Sequence, residues 1–231
     1  MKTIKDVLIL ILGVAVMACS GETTKKEEIM QTKEPYKKKY TNADFYKEGK
    51  FQAQVALDAY LDMFDYYGVP YSDFLKNNLW ITDFELGDFE NVGMGGVFWV
   101  NDEAHAYFGH EIYLLPSQMI LEHRHIATNH PPKFESWQVR HGWAYNYSIG
   151  DATPNPPVLP ASQKDFITVS HFQKQMVDEV IHLAEAESPH FLLAGPEGAI
   201  ITEFANFHDG NGLRFTNTNS VFTDILQDLK K

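Results

Sequence analysis

The run LEHRHIATNHPPKFESWQVRHG, residues 121 to 142, sets two imidazoles, an amine and a carboxylate close together. His123 and His125 stand one residue apart, Lys133 and Glu135 follow, and Gly142 closes the run. Imidazole nitrogen and carboxylate oxygen are the donors a divalent transition ion takes in a compact shell. On a strand, residues i and i+2 face the same side, so His123 and His125 point together if MILEHRH is extended. Glu135 can return a carboxylate from the next strand, and Gly142 would let the backbone bend after it. His190, after a proline in SPHFLLAG, offers a fourth donor at the mouth of another strand. The competing reading is an ordinary polar loop, because an isolated H-x-H is a weak signal. Histidine is plentiful here, and most of His105, His110, His130, His141, His171, His182 and His208 are expected on the surface or as satisfied core residues.

Donors of this kind need rigid elements behind them. The segment from residue 44 to residue 67 repeats apolar side chains at three and four, through Phe51, Val55, Ala56, Ala59, Tyr60, Met63, Phe64 and Tyr67. That spacing predicts one amphipathic helix, stopped by Gly68 and Pro70. Beyond it the texture changes to short aromatic and β-branched segments punctuated by Gly, Asn and Asp: GGVFWVND, EIYLLPSQMILEHRH, SWQVRHGWAYNYSIG, HFLLAG, GAIITEFANF and LRFTN. Many strands at such intervals predict a mainly β sandwich or barrel. DATPNPPVLPAS is a rigid proline loop. QKQMVDEVIHLAEAE fits helical spacing through Met176, Val177, Val180, Ile181 and Ala184, and its second half also fits a strand, which is the reading preferred here.

The amino terminus has a separate purpose. Lys2 and Lys5, a short apolar run and small residues before Cys19 read as a secretory signal over residues 1–18, too short to span a bilayer. The VMAC ending, with the chain's single cysteine, resembles a bacterial lipoprotein signal; it implies a lipid on Cys19 and a cell-envelope location. Residues 19–42 are charged and have few large apolar side chains, so they are expected to be a tether, leaving 43–231 as one domain. A net charge of −12 argues against a nucleic-acid partner, since nothing offsets phosphate repulsion.

The order H-x-H, then Glu, six residues and Gly resembles the first cupin motif, and His190 occupies the place of the second-motif histidine. WITDFELGDFENVG, YLLPSQMILEHRH and KFE at Lys133 to Glu135 resemble one cupin family in particular, the D-lyxose isomerases, and the resemblance runs from about Tyr46 to about Asn217. The loop between His125 and Lys133 is some five residues longer than in that family, within IATNHPP. The resemblance implies a cupin (jelly-roll-like) β-barrel with N-terminal helices packed outside, a homodimer, and a divalent metal, manganese before zinc, iron, cobalt or nickel. His123, His125, Glu135 and His190 would be its ligands.

An isomerase of this kind moves a proton between neighbouring carbons of a free sugar such as D-lyxose or D-mannose, through an enediol. Glu203 in GAIITEF is the candidate base, with its pKa expected to be raised toward neutrality in an apolar barrel. A surface position, or pairing with Arg214, is its alternative. Lys133, on the same strand face as Glu135, would stabilise the developing enediolate or simply pair with Glu135. Arg140 reads as structural. Two other functions remain open on the residues: a cell-envelope cupin enzyme acting on sugar acids or unsaturated uronates, and a non-catalytic sugar-binding lipoprotein.

Overall fold

The computed structural model describes residues 34–226. The expected signal segment lies outside them. Among the described residues no helix is long and apolar enough to cross a membrane.

In chain order the elements are α1 (Asn42–Phe45), β1 (Tyr46–Lys47), β2 (Lys50–Phe51), α2 (Ala53–Tyr67), α3 (Asp73–Asn78), β3 (Trp80–Thr82), β4 (Met94–Asp102), β5 (Tyr107–Leu114), β6 (His123–His125) and β7 (Glu135–Ser148). Then follow a 3-10 turn (Ala161–Phe166), β8 (His171–Gln175), β9 (Val180–His182), β10 (Phe191–Ala205), a second 3-10 turn (Gly210–Gly212) and β11 (Leu213–Phe215). The main sheet runs β3-β4-β5-β10-β7-β8, with β9 also on β7, and β6 pairs with β11 in a second, two-stranded sheet. Every pair between named strands is antiparallel. This is the mainly β cupin architecture expected, with a helix packed outside.

Strand alternation separates two cores. On β5, Ile112 and Leu114 face the barrel interior with Met94, Trp137, Val139, Phe191 and Ile201. Tyr113, between them, faces the other way and joins Val97, Ile81 and Ile200 beneath Tyr60, Met63 and Phe64 of α2. The period of two on the strands and of 3.6 on the helix thus meet at one interface. Gly68 caps α2 in the left-handed region, at φ 73°.

Four expectations are corrected. The helix starts at Ala53, not at residue 44, because Glu48 and Gly49 both take positive φ (51° and 73°) and close a two-residue hairpin between β1 and β2. Residues 36–42, expected within the tether, pack on the domain instead: Tyr36 is buried and its hydroxyl donates to Asp62 at 2.8 Å, while Lys38 pairs with Glu90 at 3.0 Å; residues 19–33 lie outside the described residues. Gly142 does not end its strand, since β7 runs through it to Ser148. It takes φ 68° against Gly198, where a Cβ would fall 2.1 Å from the Gly198 carbonyl oxygen. HFLLAG and GAIITEF are one strand, β10, with a register irregularity between Ala194 and Ala199. The preference for strand in VIHLAEAE is met only by β9.

Candidate metal centre and acid–base pair

Three strands deliver the four donors at their ends. His123 and His125 open and close β6, Glu135 begins β7, and His190 immediately precedes β10. The His123 and His190 backbones bond to each other in both directions, at 3.1 and 2.9 Å, which locks the two rings side by side. One ligand atom from each of His123, His125, Glu135 and His190 lies within 4.8 Å of the others. Glu122, next to this pair, accepts hydrogen bonds from the Thr168 and Val169 amides and the Thr168 and Thr216 hydroxyls, pinning β6 to the segment between the first 3-10 turn and β8 and to the chain after β11.

The hydrogen bonding around the cluster fits a cation. His123 Nδ1 donates to the Leu121 carbonyl at 2.8 Å and His190 Nδ1 to the Ser188 carbonyl at 2.9 Å. Those outer bonds place the lone pair of each ring on Nε2. His190 Nε2 lies 2.8 Å from Glu135 Oε2, yet neither atom has a properly angled hydrogen bond, and both ring nitrogens of His125 also lack one. Buried polar atoms left this way are costly. Imidazole nitrogens and carboxylate oxygens converging in this way are satisfied by a positive ion. Burial holds His123 and His125 below the ordinary imidazole range, which keeps them as neutral donors. Burial would raise the Glu135 carboxyl, but Lys133 outweighs it and holds it well below the usual range, and the Glu135 charge in turn raises His190 against its own burial.

Lys133 is brought to the same place, buried between two carboxylates. Its Nζ lies 2.6 Å from Glu135 Oε1 and bonds Glu203 Oε1 more closely still. Glu203 is 4% exposed and points inward from β10, so the surface reading is excluded. Its other expected partner, Arg214, instead donates to the Asn211 and Leu213 carbonyls. The expectation of a raised Glu203 pKa is corrected: burial pushes it up, but Lys133 lies against it and the net direction is down. Lys133 thus favours the ionised form of the Glu203 carboxyl. Arg140 lies outside the site, exposed on β7, and His130 sits in the lengthened loop 3.5 Å from Glu103.

Two histidines expected to be bland line the same cavity. His110 contacts Glu203 Oε2 through Nδ1 at 3.3 Å, and His208 stands against His125 with 5.6 Å between ring centroids. Burial lowers the His208 pKa to about 3, so it is neutral. The signal for His110 was available in the alternation Phe108, His110, Ile112, Leu114. That for His208, on a loop, was not. Trp80, Phe98, Phe108, Trp137 and Phe222 wall the rest of a cavity of about 250 Å³, just below the usual range for ligand sites.

No family model matches the chain. Among curated proteins it is 35% identical over 143 residues to the D-lyxose/D-mannose isomerase of Thermosediminibacter oceani, covering 61% of this chain and 77% of that one. It is 32% identical over 140 residues to a D-lyxose ketol-isomerase of a Thermofilum species, covering 60% and 76%. Among solved structures, L-ribose isomerase of Acinetobacter sp. DL28 bound to L-ribose superimposes with a TM-score of 0.57 at 11% identity, over 73% of this chain and 92% of that one. L-ribose isomerase of Cellulomonas parahominis with L-ribose gives 0.56 at 12%, with the same coverage. These two speak for the fold.

Proposed function

The chain belongs to the D-lyxose isomerase family, and on that premise we propose that it is a metal-dependent aldose–ketose isomerase acting on a free sugar such as D-lyxose or D-mannose. The observation that carries the reading is the joining of two devices in one small cavity: the His123, His125, Glu135 and His190 cluster, and the Lys133–Glu203 ion pair beside it. The mixed nitrogen and oxygen donors suit a first-row divalent ion, and manganese is the ion proposed. When bound there, it would supply Lewis acidity toward the sugar's carbonyl and neighbouring hydroxyl oxygens.

The protein's own residues then account for the proton. Glu203 takes it from the carbon beside the carbonyl, leaving a cis-enediolate; the proton of the neighbouring hydroxyl passes to the former carbonyl oxygen, and Glu203 returns its own proton to the former carbonyl carbon. Lys133 keeps Glu203 ionised before the first transfer and faces the developing enediolate charge. The aromatic walls exclude water, which keeps the proton on Glu203 from exchanging freely. A sugar acid fits this cavity less well, because its carboxylate would meet Glu135 and Glu203 while Lys133 is already shared between them.

The test is a panel of aldoses and ketoses incubated with manganese-loaded protein, with products resolved by chromatography. Interconversion of D-lyxose with D-xylulose or of D-mannose with D-fructose is the expected result. Sugar binding without conversion would replace the reading by that of a binding protein.

A further inference from the structure

Glu203 is held at both oxygens. Lys133 takes Oε1, and His110 takes Oε2 through Nδ1 at 3.3 Å, toward the long end for a hydrogen bond. The two residues face each other across the β5–β10 pair, Glu203 opposite His110 in register, so their separation is set by the sheet. The other ring nitrogen, Nε2, is buried without a partner. An N–H there would be an unsatisfied donor, whereas Nδ1–H beside a carboxylate is a charge-assisted bond. The tautomer that fits is therefore the one with its proton on Nδ1.

The slot around this ring is built for it. Gly96, on the neighbouring strand β4, does not take positive φ, so its backbone does not require a glycine. Space does: a Cβ at Gly96 would lie 2.5 Å from His110 Nε2 and 2.5 Å from Cζ2 of Trp80. Trp80 stacks on the imidazole, with 5.5 Å between centroids and 29° between planes. Phe98 meets its edge at 5.0 Å. A side chain clamped on three sides, with one nitrogen aimed at the carboxylate and the other at nothing, is placed for orientation.

We propose that His110 is the positioning residue of Glu203: held in the slot made by Gly96 and Trp80, it fixes the plane of the carboxylate so that Lys133 and the sugar meet it in one orientation. The proposal rests on the reading of Glu203 as the proton carrier.

A substitution series separates orientation from packing. In His110→Asn the amide nitrogen falls near the position of Nδ1, whereas in His110→Gln it falls nearer that of Nε2, and His110→Leu has no donor. The manganese-loaded proteins are compared for kcat and KM on D-mannose and D-lyxose, for metal content and for melting temperature. Loss of one hydrogen bond to a charged group corresponds to about a thirtyfold fall in kcat. That fall is expected for His110→Leu and His110→Gln, with KM and metal content within about twofold of the parent, and His110→Asn should recover most of it. A mere packing role would favour Leu and Gln over the smaller Asn, and that order would overturn the proposal. Gly96→Ala, which leaves His110 in the chain, should lose kcat in the same way. Glu203→Gln tells the two failures apart: if it remains active, the proton-carrier reading falls, while if it is inactive and His110→Leu is unimpaired, only the positioning role falls. A readout without turnover is the His110→Leu/Glu203→Gln double-mutant cycle in denaturant. Coupling of tenfold or more in the unfolding constant is expected, and no coupling would overturn the proposal whatever the activity.

Discussion

Replacing Lys133 by Met removes the one cation lying between two buried carboxylates, Glu135 and Glu203. Lys133 and Glu203 are 5% and 4% exposed and Glu135 is 1% exposed, so water cannot take over the lost role. Removing one partner of a buried ion pair costs about 3–5 kcal/mol. In a domain of this size each kcal/mol lowers the melting temperature by about 2–4 °C, giving a fall of roughly 6–20 °C for the metal-free protein. The pH dependence should also change sign. In the parent, Glu135 and Glu203 titrate below the ordinary value of 4.5, so their contribution is present above that pH and lost as the pH falls through the lowered values. In Lys133→Met, burial is no longer opposed by the lysine and the folded-state pKa rises. The variant should then gain stability on acidification from neutral pH toward 4.5, where the parent does not. Glu203→Gln in the same background should restore part of the loss. The assay is calorimetry of the metal-free proteins across that range, with Lys164→Met as an exposed control. A Lys133→Met shift no larger than the control's, with the parent's pH dependence, would refute the account of a buried, charge-balanced triad.

After incubation with manganese, His125→Ala should retain little of the metal by elemental analysis and lose the proposed isomerase activity, while His130→Ala, out in the lengthened loop, keeps both; undiminished metal in the first would place the ion elsewhere. Gly142→Ala meets both a left-handed backbone and a Cβ 2.1 Å from the Gly198 carbonyl oxygen, so a loss of more than about 1 kcal/mol in denaturant unfolding is expected, and a neutral change would mean that β7 and β10 can part there freely. Cys19→Ser should move the chain from the membrane to the soluble fraction if the lipoprotein signal is read correctly, and an unchanged distribution on fractionation would remove that reading.

Local patterns carried much of this protein. The period of two in FGHEIYL and the period near 3.6 in the α2 segment follow from which face must leave water, and both are visible in one strand or one helix. The H-x-H pair was legible for the same reason: i and i+2 on a strand share a side whatever else the chain does. The short hairpin at Glu48–Gly49 was hidden because apolar spacing continues through it, although the positive φ that breaks the helix is a property of two residues. What only the tertiary structure decided is which elements meet. Nothing near His110 in the chain indicates that Glu203, 93 positions later, lies opposite it, or that Gly96 on β4 is bare to leave room for the imidazole. Glu203 shows the same division most sharply. Its inward direction follows from alternation along β10, but the sign of its pKa shift depends on Lys133, which arrives from another part of the chain. Burial acts on a residue by itself, whereas Coulomb attraction acts between residues and falls with distance, so the second needs the fold before it can be known.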